Sequence, residues 1–155
     1  MSPRLQQELK QTKPFPRPSA EALLGVLRTA ALLDHQISEA LRPAGITSTQ
    51  YNVLRILRGA GPDGLCGREI AERLVSQVPD VSRLLDRMEE MGLLERQRNA
   101  EDRRHVVARI TEKGLAVLTE ALPALEAVER ARIGNLDPES IQRLIDILEQ
   151  VRDGG

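Results

Sequence analysis

The spacing of the apolar residues changes once along the chain, and that change restricts the fold more than any other feature. From Val81 to Met88 the apolar residues recur at i, i+3, i+4 and i+7, which is the period of an amphipathic helix. At 94–98 and again at 106–110 the period is two, which is typical of strands. The residues between these runs, 99–104, are polar and turn-prone. The sequence therefore predicts a helix followed directly by a two-stranded hairpin with a charged tip.

A shorter helix is predicted just before this one, from about Arg68 to Leu74. A three-residue turn, 75–77, separates it from the longer helix, which we expect to span about 78–91. Pro79 fits the first turn of that helix, where the missing backbone N–H is not needed. Two short helices joined by such a turn favour a helix-turn-helix.

A long helix is predicted ahead of this core. Residues 1–18 contain prolines and no apolar period, so we expect them to form an extended arm. Ser19 is expected to cap the helix, which Pro43 and Gly45 then stop. One face of this helix stays apolar over about six turns, which is more than one small domain easily covers.

Capping residues mark the starts of three later helices. Thr47 and Gln50 have the spacing of a capping box. Thr111 is expected to cap a helix that runs to about Ile133, and Asp137 to cap the last one. The last helix, like the first, carries a continuous apolar face. A second copy of the chain is the simplest partner for both faces.

Composition removes several function classes. Aromatic residues make up 1% of the 155 residues, which excludes aromatic platforms for single-stranded nucleic acid. The net charge of -1 is uneven, since residues 1–66 carry +3, 67–113 carry 0 and 114–155 carry -4. Any surface for nucleic acid must therefore come from locally placed arginines. The sequence shows neither an apolar run of the ~20 residues that a membrane span needs nor a secretory leader, so we expect a cytoplasmic protein without a membrane partner.

The stretch from Gly64 to Leu118 resembles the winged helix-turn-helix of the MarR family of bacterial transcriptional regulators. The most specific part is the tip 101–104, followed by a strand that ends at Ile110 and by the run 111–114. A helix-turn-helix pattern alone has many false positives, whereas this combined spacing has few. The residues that carry the resemblance are, in order, Ile70, Ala71, Leu74, Val81, Arg83, Leu84, Asp86, Met88, Gly92, Leu93, Asp102, Arg104, Thr111 and Gly114.

The resemblance implies a mainly α fold with a small β-hairpin wing, of the α+β class. A winged helix-turn-helix core at 46–113, with its recognition helix at about 78–91 and its wing at about 93–111, would lie between dimerisation helices at 19–45 and 114–155. It also implies a homodimer that binds a pseudo-palindromic operator on double-stranded DNA and usually represses transcription. A small-molecule effector is a further partner that the resemblance allows.

Outward residues of the recognition helix are candidates for reading the major groove. Arg83 has the chemistry to bind guanine bidentately, and Asp80 to accept from cytosine. The alternatives are that Arg83 contacts only phosphate, and that Asp80 caps the helix or orients Arg83. The predicted contacts from this helix are Gln77, Asp80, Ser82, Arg83 and Arg87.

The wing supplies the second group of candidates. The resemblance implies that Arg104 enters the minor groove, where a narrow groove focuses negative potential, and that Asp102 holds the tip through a salt bridge. The alternative is a solvated charged turn in which Asp102 forms an Asx-turn. Arg96, Arg98 and Arg103 are expected to contact phosphate or to lie on the strand face as ordinary surface.

A few residues are candidates for sensing. Cys66 has apolar Leu65 beside it and is interpreted as a small buried hydrophobe, with redox sensing as the alternative. The resemblance implies an effector pocket near His35. We include Tyr51 as a second candidate residue of this pocket. The histidines and the cysteine lie far apart, so neither a metal site nor a cofactor is predicted.

Enzymatic activity is not expected. The sequence shows no paired catalytic carboxylates and no Ser/His/Asp arrangement in a recognisable context. Gly59, Gly61 and Gly64 spell G-x-G-x-x-G, yet they follow a predicted helix rather than a strand, so we interpret them as a connector. The stronger alternative to a DNA-binding regulator is a winged-helix module used only for protein contacts or dimerisation.

Overall fold

The computed structural model describes residues 3–98, 100–102 and 105–154. The chain divides into two compact units, Met1–Glu39 and Ala40–Gly155. The predicted fold class is confirmed, since the described residues are mainly helical and include a small antiparallel sheet. Within this described part, no helix is long and apolar enough to cross a membrane.

The first unit begins with a short helix, α1 (Pro3–Glu8). The prediction of an extended arm at 1–18 is therefore wrong for these six residues. The helix starts on a proline, whose missing N–H the first turn does not need. Arg4 and Glu8 are one turn apart on its surface, and Arg4 Nε lies 3.1 Å from Glu8 Oε1. Ion pairs at this spacing support short helices.

The long helix α2 (Pro18–Leu41) starts one residue earlier than predicted. Ser19 lies inside its first turn instead of capping it. The carbonyl of Arg17 accepts the N–H groups of Ala20 at 3.1 Å and Glu21 at 3.2 Å, so the helix opens on Pro18. The predicted end is confirmed by a 3₁₀ turn, Arg42–Ala44, that follows at once.

Helix α3 (Ser48–Ala60) forms the centre of the core in the second unit. Its predicted capping box is confirmed: Thr47 Oγ1 accepts the Gln50 N–H at 3.1 Å, and Gln50 Oε1 accepts the Thr47 N–H at 3.0 Å. The core side of the helix is fully buried at Val53, Leu54 and Leu57.

A three-stranded antiparallel sheet packs against α3 through β3. Its strand order is β1-β3-β2. The predicted hairpin is confirmed as β2 (Leu94–Arg98) and β3 (Val106–Ile110). Strand β1 (Leu65–Cys66) was not predicted, because two residues are too few to show a period. Gly64 precedes it with φ +68°, and a Cβ there would overlap the Ala108 backbone, so this close approach of strands requires glycine.

The helix-turn-helix consists of α4 (Gly67–Arg73) and α5 (Val81–Glu90). Helix α5 begins three residues later than predicted. Asp80 Oδ1 accepts the Arg83 N–H at 2.9 Å and so acts as the N-cap, which leaves Pro79 outside the helix. Ile70 of α4 and Leu85 and Met88 of α5 are buried, which packs both helices on the core.

A Schellman motif ends α5 and turns the chain into the sheet. Gly92 has φ +76° and donates its N–H to the Glu89 carbonyl at 2.9 Å. The N–H of Leu93 reaches back to the Met88 carbonyl at 3.0 Å. The side chains of Leu93 and Met88 are both buried, as this motif favours.

Two helices complete the second unit, α6 (Glu112–Arg132) and α7 (Pro138–Asp153). Both predicted caps are confirmed, because Thr111 accepts the Gly114 N–H and Asp137 the Ser140 N–H. Thr111 Oγ1 also donates to the Gly92 carbonyl at 2.6 Å, which ties the start of α6 to the end of α5. Helix α6 packs on α3.

Gly114 is expected to tolerate no side chain. A Cβ at this position would overlap the Leu93 carbonyl and lie 2.7 Å from Ile110 Cγ1. We predict that Gly114→Ala lowers the free energy of unfolding by about 1–3 kcal/mol, measured by urea denaturation. Gly59→Ala is the matched control, because a Cβ there meets nothing within 4 Å, and it should be neutral or slightly stabilising. Equal losses in both variants would contradict the packing argument.

Candidate nucleic-acid interface

The outer face of α5 is defined by what its inner face buries. Leu85 and Met88 are 3% and 0% exposed, so the residues on the opposite side of the helical wheel point outward. Every candidate predicted for the major groove is exposed, in α5 or in the residues just before it. These are Gln77, Asp80, Ser82, Arg83 and Arg87.

The turn between α4 and α5 is fixed by a hydrogen bond to α3. The N–H of Val75 donates to Asn52 Oδ1 of α3 at 2.8 Å, a contact between residues far apart in sequence. This bond gives a partner to a backbone N–H just after the C-terminus of α4, and it fixes where the turn begins. Sequence reasoning missed Asn52, because an asparagine inside a helix gives no local signal of a distant partner.

Asp80 is a helix cap in the structure. Its Oδ1 accepts the Arg83 N–H, so the residue positions the first turn of α5, and with it the backbone that carries Arg83. This arrangement matches the capping alternative considered for Asp80. Acceptance of a hydrogen bond from cytosine by the same carboxylate stays a prediction.

Charge is distributed unevenly along α5. Arg83 lies in the first turn, whereas Arg87 shares the last turns with Asp86, Glu89 and Glu90. Phosphate groups attract the arginines and repel the three carboxylates. The first turn of α5 is therefore better suited to a polyanionic duplex than the last.

Arg96, predicted either to contact phosphate or to lie on the strand face, forms an ion-pair network with α5, and a contact with phosphate stays a prediction. Its side chain is only 22% exposed, and Nη2 donates to Asp86 Oδ1 and, at 3.1 Å, to Glu89 Oε1. Burial lowers the pKa of Arg96, but the hydrogen bonds to the two carboxylates outweigh it, and the net shift of the pKa is upward. The guanidinium thus stays charged and binds the two carboxylates of α5.

The described part of the wing places some of the predicted residues. Arg98 is exposed at the end of β2. The Asp102 carbonyl accepts the His105 N–H at 3.0 Å, and Asp102 Oδ2 lies 3.7 Å from His105 Nε2. Arg103 and Arg104, including the arginine expected to enter the minor groove, lie outside the described residues.

Cys66 immediately precedes α4 as its N-cap and is half-buried, so it is less enclosed than predicted. Its N–H donates to Glu69 Oε2 at 2.9 Å. Hydrogen bonds from the backbone N–H and the thiol of Cys66 lower the pKa of Glu69. This is the geometry of a helix start, in which the glutamate reaches back to the residue before the helix.

The candidates for an effector pocket lie in different units. His35 is exposed on α2 in the first unit, and Tyr51 is half-buried on α3 in the second. The pocket stays a prediction. Among the residues that the structure describes, no group of three or more His, Cys, Asp or Glu side chains is arranged to hold a metal ion.

The fold and the exposed, capped helix α5 define a winged helix-turn-helix DNA-binding protein. The model of the MarR family matches residues 46–106. The HTH-type transcriptional regulator YkoM of Bacillus subtilis (strain 168) is 30% identical over 118 residues, covering 76% of this chain and 74% of YkoM. The chain belongs to the MarR family of transcriptional regulators, which are not enzymes.

Solved structures of MarR-type regulators are similar over most of the chain. AbsC, a MarR family transcriptional regulator from Streptomyces coelicolor, is 28% identical with a TM-score of 0.78, covering 92% of this chain and 97% of AbsC. The M. tuberculosis transcriptional regulator MOSR, in complex with DNA, is also 28% identical, with a TM-score of 0.67. That comparison covers 86% of this chain and 96% of MOSR.

The cap of α5 gives a stability prediction. Asp80→Ala removes the acceptor for the Arg83 N–H and should lower the free energy of unfolding by about 0.5–2 kcal/mol in chemical denaturation. Asp80→Asn and Asp80→Ser retain an acceptor, so both should stay near the wild-type value. A loss in the asparagine variant as large as in the alanine variant would show that the capping bond is not what stabilises this turn.

Proposed function

We propose that the chain is a homodimeric repressor that binds a pseudo-palindromic operator on double-stranded DNA. Helix α5 would enter the major groove and the hairpin wing the adjacent minor groove. The observation that supports this most directly is the exposed first turn of α5, which carries Arg83 and is held in place by the Asp80 cap, with Arg87 exposed one turn further along. The similar regulator MOSR is in complex with DNA in its solved structure, which supports DNA as the ligand.

Base reading is assigned to the start of α5. Arg83 would bind guanine O6 and N7, and Gln77 would pair with adenine. Ser82 and Arg87 would contact the backbone and fix the register. Asp80 would act mainly by holding the first turn.

The wing is assigned to the minor groove. Arg104 would insert there, with Asp102 holding the tip and with Arg98 and Arg103 on phosphates. The exposure of Arg98 and the contacts between Asp102 and His105 support this for the described part of the hairpin.

The homodimer is supported by exposed apolar side chains on α2 and α7. Leu23 and Leu27, one turn apart on α2, are 61% and 57% exposed. Ile145 and Val151 of α7 are 43% and 64% exposed. A contiguous apolar face on each of two long helices is costly in water and is suited to a two-fold interface with a second copy.

Release from the operator by a small-molecule effector, with His35 and Tyr51 at the binding site, completes the proposed function. A regulator that binds its operator acts in the compartment that holds the DNA, which in bacteria is the cytoplasm. A screen of small aromatic acids and an oxidant, scored by loss of the DNA complex in a gel shift, tests the effector and the alternative of redox control through Cys66.

The DNA contact is tested with Arg83. The wild-type protein should shift DNA from upstream of its own gene in a gel-shift titration, in preference to scrambled DNA. Arg83→Ala should weaken binding to the matched site by about 1–3 kcal/mol, because a bidentate base contact is lost, and should relax specificity at one base pair.

Two controls make the Arg83 result specific. Arg152→Ala removes the same charge from the exposed C-terminal end of α7 and should leave affinity unchanged. Scrambled DNA should be bound about equally by the wild type and by Arg83→Ala. An equal loss on matched and scrambled DNA would show that Arg83 contacts phosphate only.

The homodimer is tested by placing charge on α2. The wild type should have twice the 17.2 kDa mass of one chain in light scattering. The double variant Leu23→Glu/Leu27→Glu should shift to the mass of one chain or aggregate, because both side chains would be buried at the interface. Thr29→Glu, at an exposed position of the same helix, is the control and should remain a dimer. A dimeric double variant would refute this interface.

A further inference from the structure

Strand β2 is an edge strand, and its outer side needs hydrogen-bond partners. The sheet order β1-β3-β2 leaves β2 paired on one side only. Arg96 is the central residue of β2 and lies opposite Ala108 of β3. Its N–H donates to Glu89 Oε2 of α5 at 2.8 Å. A side chain of the recognition helix therefore supplies the hydrogen-bond partner for this backbone donor at the edge of the sheet.

The side chain of Arg96 forms two more bonds to the same helix. Nη2 donates to Glu89 Oε1 at 3.1 Å and also to Asp86 Oδ1. Asp86 and Glu89 lie three residues apart, on adjacent turns of one face of α5. Three bonds therefore join the middle of β2 to α5, and we call this set the Arg96 network.

The network is partly shielded from solvent, which strengthens the connection between β2 and α5. The Arg96 side chain is 22% exposed and that of Glu89 39%, whereas that of Asp86 is 57% exposed. Charge-assisted hydrogen bonds in partly desolvated surroundings are stronger and more directional than those of exposed ion pairs. The bond from the backbone N–H and the two bonds from Nη2 hold α5 at two separate atoms of Arg96, which restricts the angle as well as the distance between β2 and α5.

We propose that Arg96 is a positioning residue for DNA recognition, which sets the angle of the wing relative to α5 so that both elements reach the duplex together. The inference rests on the proposed function. The chain at 91–93 joins α5 to β2, and the pairing of β3 with β1 attaches the other strand of the hairpin to the sheet. The Arg96 network adds a direct connection between β2 and α5 farther along the strand, and so fixes the angle between these two elements.

The test is Arg96→Met, which keeps the length and apolar stem of the side chain but removes all guanidinium donors. Binding to the selected operator should fall about tenfold, as expected when one groove contact is lost, while scrambled DNA is bound nearly as well as before. Hydroxyl-radical footprinting should lose protection in the minor groove reached by the wing. Methylation protection of guanine N7 in the major groove should remain.

Arg98→Met is the matched control, because it removes the same charge two residues along the same strand. It should weaken operator and scrambled DNA alike and leave both protection patterns intact, as expected for a phosphate contact. Asp86→Asn removes one carboxylate of the network. It should reproduce part of the footprint change of Arg96→Met, and the double variant should show less than the sum of the two effects.

The outcomes separate the inference from the proposed function. If the wild type itself does not distinguish operator from scrambled DNA, the proposed function fails. If the wild type does so and Arg96→Met retains the minor-groove protection, or loses affinity uniformly as Arg98→Met does, the positioning role is overturned. Arg96→Lys keeps the charge but shortens the side chain and loses the planar guanidinium that carries Nη2. Should the methionine variant not fold, a wild-type footprint in the lysine variant would overturn the proposal, and a partial loss in the wing region would support it.

Discussion

The burial of one apolar stripe of α5 is the constraint on which the rest of the second unit depends. Leu85 and Met88 are removed from water on one side of a helix whose other side is charged. Their burial fixes the rotation of the helix about its axis, and hence which residues face outward. Met88 also belongs to the Schellman motif at 88–93, so the same contact determines where the chain turns into the sheet.

The wing is built from this turn outward. Strand β2 starts directly after buried Leu93, pairs with β3, and receives the Arg96 network on its open side. Strand β3 then pairs with the two residues of β1 that immediately precede α4. The sheet thus touches both ends of the helix-turn-helix. A change in the position of the hairpin is therefore coupled to the helices that it connects.

Much of this architecture follows from local sequence signals. The capping box at Thr47 and the caps at Thr111 and Asp137 depend on residues a few positions apart, and all three were predictable. The 3.6-residue and two-residue periods located α5 and the hairpin for the same reason. The resemblance to the MarR family on the wing and helix residues then indicated the function class that the comparisons confirm.

The features that sequence reasoning missed depend on contacts between distant residues. Strand β1 is defined only by its pairing with β3, and the Arg96 network only by the approach of β2 to α5. An arginine on a strand looks the same in sequence whether it faces phosphate or two carboxylates of a neighbouring helix. The late start of α5 was missed because both Pro79 and Asp80 suit a helix start, and only the structure shows which one takes that position.

The position of Arg83 in the capped first turn of α5 has a consequence for the information that one protomer of the proposed homodimer can extract from DNA. If mainly this end of the helix approaches the duplex, each half-site presents a few base pairs for direct inspection, too few to be rare in a genome. In the proposed homodimer the remaining selectivity must then come from geometry: the distance and rotation between two half-sites, set by the subunit interface. For such a protein, inserting one base pair at the centre of the operator would be as damaging as changing the bases that α5 touches.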